Sequence, residues 1–138
     1  MAYFIGVAVA LAVALFAMRV GLDHDRTFYS TVTIVVASYY VLFAAMGGSG
    51  HALVLELVVM AGFVTAAVLG FKKSEWILVA ALAGHGVFDA FRGNVIENPG
   101  VPAWWPAFCG AYDVVAAACL AWIIVRRSGA AAKPEHSA

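Results

Sequence analysis

Residues 3–22 read YFIGVAVALAVALFAMRVGL, and this stretch decides the fold class. It carries one charge, Arg19, close to its end. Crossing the ~30 Å hydrocarbon layer of a bilayer takes about 20 mostly apolar residues at ~1.5 Å of helical rise each. Further runs of the same kind follow at 28–46, 52–71, 76–91 and 105–125. All five are continuous in apolar residues rather than alternating, which excludes a membrane β-barrel. A helix satisfies its own backbone groups and so suits hydrocarbon. The expected fold is an all-α bundle of five transmembrane helices.

The whole chain supports this reading. Its 138 residues are 64% hydrophobic and only 12% charged. Soluble domains average about 45–50% apolar and about 25% charged residues. A soluble monomer, a disordered chain and a disulfide-stapled secreted fold are all excluded. Lys and Arg together number 8, as do Asp and Glu, so the formal net charge is zero. Nucleic acid is not an expected partner of such a chain. Five spans fill residues 1–127 as a single transmembrane domain, and 128–138 read as a flexible cytoplasmic tail.

The interruptions fit helix ends. Asp23, His24, Asp25 and Arg26 separate the first two runs, with Thr27 a candidate cap for the second helix. Gly47, Gly48, Ser49 and Gly50 form a turn, and Ser74 is placed to cap the fourth helix. Residues 93–103 make the one sizeable loop, stiffened by Pro99 and Pro102.

The positive charges set the orientation. With the N-terminus outside, Arg19, Arg26, Lys72, Lys73, Arg126, Arg127 and Lys133 are cytoplasmic and Arg92 alone is external. Cytoplasmic loops are enriched in Lys and Arg, so the N-terminus is expected outside and the C-terminus inside a bacterial inner (plasma) membrane. The first run has no basic residue ahead of it, so a retained helix is expected rather than a cleaved signal peptide.

Four ionisable residues interrupt the spans: Glu56, His85, Asp89 and Asp113. Such residues are costly in hydrocarbon and mark function by default. Counted from the outer boundary, helical rise puts Asp89 at ~6 Å, Glu56 at ~7 Å, Tyr39 and Tyr40 at ~10 Å, and His85 and Asp113 at ~12 Å. Four helices thus bring polar groups to one layer in the outer half of the bilayer.

His85, Asp89 and Arg92 fall at spacings of four and three, on one helical stripe. Asp89 is expected to pair with Arg92 and to orient His85. Gly84 and Gly86 flank the histidine and allow close approach by a neighbour. Cys109 and Asp113 share a face of the fifth helix, with Tyr112 adjacent. Tyr39, Tyr40, Cys109, Tyr112 and Trp105 are the expected lining of a substrate pocket. The plainer alternatives are an ion pair at a helix end, a packed histidine, and a polar cluster that merely joins helices.

Glu56, Asp113, His85 and Asp89 are the candidate catalytic groups. Two acids and a His–Asp pair suit acid–base conversion of a small apolar or lipid-like molecule, of the isomerase, hydratase or cyclase type. No cofactor is required by this chemistry. The alternatives are a divalent-metal site on His85, Asp89, Glu56 and Asp113, with or without transport, and a non-catalytic accessory subunit. Membrane lipid and a small apolar ligand are the expected partners, and a homo-oligomer is compatible with the sequence.

Overall fold

The computed structural model describes residues 1–131. Residues 132–138, including Lys133 and His136 and most of the expected tail, lie outside the described residues. The described chain is 85% helical and contains no strand. Five helices form: α1 (Ala2–Val20), α2 (Thr27–Met46), α3 (Gly50–Lys72), α4 (Glu75–Phe91) and α5 (Trp105–Ala131). Short 3-10 turns, Leu22–His24 and Arg92–Asn94, follow α1 and α4.

Four of the five, α1, α2, α3 and α5, are long and apolar enough to cross a membrane. The fourth, with 17 residues, rises only ~25 Å, short of the ~30 Å hydrocarbon layer. The fifth continues past Val125, the expected end of its span, to Ala131. Large apolar side chains stand exposed on the outer faces of α1 and α3, among them Phe4, Phe16, Val54 and Val58. Hydrophobic surface of that extent marks contact with an apolar medium or partner.

Local chemistry explains the helix ends. Gly21 adopts φ 82°, a left-handed conformation that favours glycine, and its N–H closes α1 by donating to the Ala17 carbonyl. Thr27 was the expected cap of α2, but it is the first helical residue there. Its N–H instead donates to Asp25 Oδ1 at 2.8 Å. That backbone hydrogen bond holds the exposed Asp25 carboxyl below its ordinary pKa. Ser49 and Ser74 accept from Ala52 N–H and Trp76 N–H and cap α3 and α4.

Packing runs around the bundle in the order α1, α5, α4, α3, α2, and α2 also touches α4. Helices α4 and α5 approach closely. A Cβ added at Gly86 would sit 2.9 Å from the Gly110 carbonyl oxygen, and one at Gly110 would sit 3.2 Å from the Gly86 carbonyl oxygen. Two facing glycines therefore bring the helix backbones together one residue from His85 and three from Asp113. Gly84, by contrast, faces open space.

Candidate functional site

His85 and Asp89 lie one turn apart on α4, and Cys109 and Asp113 one turn apart on α5. The close approach at Gly86 and Gly110 makes these two pairs face each other. His85 Nδ1 lies 2.7 Å from Asp113 Oδ2 and 3.8 Å from Asp89 Oδ2. Cys109 Sγ lies 3.6 Å from Asp113 Oδ2. All four residues are buried. The Phe63 ring of α3 meets the His85 ring edge-on, with centroids 4.7 Å apart.

Tyr40 connects this cluster to a second one. Its hydroxyl donates to Asp89 Oδ1 at 2.7 Å, and the Arg92 guanidinium stands 4.1 Å above its ring. Arg92 itself donates to Glu56, which also accepts from Asn98 Nδ2 at 3.1 Å. The same Asn98 amide reaches the Tyr40 carbonyl at 3.1 Å. Glu56, Arg92 and Asn98 are all buried.

Two expectations need correction. Asp89 does not pair with Arg92; the guanidinium turns to Glu56, and the Asp89 carboxylate takes the Tyr40 hydroxyl instead. Arg92 still closes α4, its N–H donating to the Phe88 carbonyl, so the stripe reaches it; its long side chain is drawn to Glu56 on α3 while Tyr40 on α2 takes Asp89. Glu56 also leaves the potential metal-ligand set, because Arg92 and Asn98 hold it. Cys109 takes its place, so that His85, Asp89, Cys109 and Asp113 each offer a ligand atom and these atoms lie within 4.8 Å of one another.

The pocket residues divide as well. Tyr39, Trp105, Cys109 and Tyr112 line a cavity of about 790 Å³ between α1, α2 and α5, together with Val9, Val13, Val32 and Phe108. Tyr40, one residue on from Tyr39, points the other way into the polar clusters. The cavity walls are almost wholly apolar. Polar character enters through the lining residues Thr31, Tyr39 and Tyr112, and two further polar groups lie beside the walls. Trp105 Nε1 is buried without a hydrogen-bond partner, and Cys109 touches Asp113. Cys109 is thus shared between the cavity and the acid cluster.

Sequence reasoning did not find Asn98 or Phe63. Asn98 sits in a loop between glutamate and proline, where an exposed turn residue is the ordinary reading. Phe63 is one of many aromatic residues in apolar runs. Neither carried a signal that set it apart.

The chain matches no family model, no curated protein and no solved structure.

Proposed function

We propose that this chain is an integral protein of a bacterial-type inner membrane that takes a small apolar or lipid-like molecule into the α1–α2–α5 cavity and exchanges a proton with it through the His85–Asp113 pair. The observation that carries this reading is the position of Cys109, which lines the apolar cavity and contacts Asp113 at 3.6 Å. A cavity of about 790 Å³ lies within the range that holds small ligands. Its apolar walls favour hydrocarbon over a polar metabolite. Thr31, Tyr39 and Tyr112 supply hydroxyls among the lining residues for an oxygen on the ligand.

In this reading α4 and α5 carry the chemistry, and α1 and α2 hold the ligand against α5. The His85–Asp113 hydrogen bond gives a path for a proton between imidazole and carboxylate, and the Phe63 ring packs edge-on against the imidazole. A proton delivered to a double bond at one carbon and withdrawn at another gives an isomerase-type conversion. The distribution of Lys and Arg favours the N-terminus outside and the C-terminus in the cytoplasm. Arg92, the single basic residue assigned outside, is taken up by Glu56 inside the bundle, which sharpens the asymmetry of the free charges.

The test is the organic extract of protein purified in mild detergent, read by mass spectrometry. One apolar, oxygen-bearing species is expected at close to one per chain, and it should be missing from a Val32→Trp variant that fills the cavity. An extract with only bulk membrane lipids, identical in the two proteins, would contradict the reading.

A further inference from the structure

We propose that His85, Asp89, Cys109 and Asp113 hold one divalent transition-metal ion of the zinc class. This assignment rests on the buried cluster alone and stands whether or not the cavity takes a lipid; with the ion bound, His85 and Asp113 are its ligands and the proton path between them is closed.

The donor set is one imidazole nitrogen, one thiol sulfur and two carboxylate oxygens. Nitrogen and sulfur with carboxylate suit zinc and its first-row neighbours, whereas magnesium and calcium call for oxygen alone. Two i, i+4 pairs on adjacent helices supply the four ligands. In a tetrahedral zinc site with bonds of ~2.0–2.3 Å, ligand atoms lie about 3.3–3.8 Å apart. Cys109 Sγ to Asp113 Oδ2 at 3.6 Å already matches that spacing, and Asp89 Oδ2 to His85 Nδ1 at 3.8 Å needs to close by about half an ångström. His85 Nδ1 and Asp113 Oδ2, at 2.7 Å, need to open by about half an ångström, which a small side-chain rotation provides.

An independent feature points the same way. Asp89 is buried, yet its Oδ2, the oxygen that faces His85, has no hydrogen-bond partner. Asp113 Oδ1 has none either. Buried carboxylate oxygens normally find donors, because leaving them unsatisfied is costly. The charge balance agrees. Glu56 is matched by Arg92, but two carboxylates, Asp89 and Asp113, face a single imidazole. The protein's own cations leave this cluster short of positive charge, and a divalent ion supplies it. Surrounding groups are placed as outer partners of a metal site. Tyr40 donates to the other oxygen of Asp89 and fixes that carboxylate, and the Phe63 ring packs on His85.

The experiment uses the full chain purified without chelator. Elemental mass spectrometry should find about one zinc-class ion per chain, reduced about tenfold or more in His85→Ala and Asp113→Ala. Cobalt added to metal-stripped protein should give a thiolate-to-cobalt charge-transfer band, lost in Cys109→Ser and kept in Cys119→Ser. The serine variant preserves side-chain volume, and circular dichroism with gel filtration confirms that each protein is folded. Wild-type protein with no ion as purified and no cobalt spectrum on loading would overturn the proposal. So would a metal content unchanged in the two alanine variants, or a charge-transfer band that survives Cys109→Ser. The lipid extract of the same preparations reads the cavity separately, so either idea can fail alone.

Discussion

His85 on α4 and Asp113 on α5 meet at 2.7 Å, Nδ1 to Oδ2, across the helix pair that Gly86 and Gly110 bring together. The contact spans 28 positions of sequence and is fully buried, so it is made by the crossing of two helices and not by local spacing. Any change that separates α4 from α5 should break it.

Substitution of Asp113 distinguishes the kinds of contact made there. Asp113→Ala removes the acceptor facing His85 and Cys109 and should cost about 1–3 kcal/mol of stability. Asp113→Asn retains an amide oxygen that accepts from His85 Nδ1–H, and should cost less than half as much. Thermal unfolding in detergent with chelator present reads the difference. Equal losses in the two variants would show that the carboxylate is held as the charged partner of His85, and not as a hydrogen-bond acceptor alone.

The facing glycines should be intolerant where their neighbour is not. Gly86→Ala puts a methyl 2.9 Å from the Gly110 carbonyl and 3.0 Å from Val114 Cγ2, and should cost about 1–3 kcal/mol. Gly84→Ala meets no atom within 4 Å and should stabilise α4 by up to about 1 kcal/mol. Comparing the unfolding midpoints of these two variants checks the close approach, and equal effects would argue against it.

Loss of Arg92 should be severe. Arg92→Ala leaves Glu56 buried with only the Asn98 amide, and removing one partner of a buried ion pair costs about 3–5 kcal/mol. The double variant Arg92→Met with Glu56→Leu should recover most of that loss, since neither charge of that pair remains. Expression level and melting temperature of the two variants decide the matter, and a double variant as unstable as the single one would contradict the pairing.

The orientation has its own test. A reporter inserted in the Gly47–Gly50 turn should read external, and one fused to the C-terminus should read cytoplasmic, as the distribution of Lys and Arg requires. The reverse pattern would move the polar clusters to the inner leaflet.

Much of the helix plan was legible in the sequence, because apolar runs and their breaks report directly on helix length. That His85, Asp89 and Asp113 come within reach of one another was readable too, since position along a helix axis follows from a fixed rise per residue. Rotation about each helix axis was not readable. Each residue turns the chain by about 100°, so a small difference in how two helices cross changes which side chains meet. That is why Glu56, at a matching depth, faces Arg92 and Asn98 instead of joining Asp113, and why Tyr39 and Tyr40 serve different sites. Arg92 keeps its helical position, its N–H still bonded to the Phe88 carbonyl, but its side chain pairs across the bundle with Glu56, a partner that spacing along α4 alone does not reveal.

The most direct test of a lipid-like ligand beside an acid cluster is photocrosslinking in vesicles with a diazirine-bearing long-chain alcohol, followed by peptide mapping. Adducts are expected to concentrate on the cavity residues Val9, Val32 and Phe108, and to fall away in Val32→Trp. Adducts spread evenly over the exposed outer faces, on Phe4, Val54 and Val58, with no change in Val32→Trp, would contradict it.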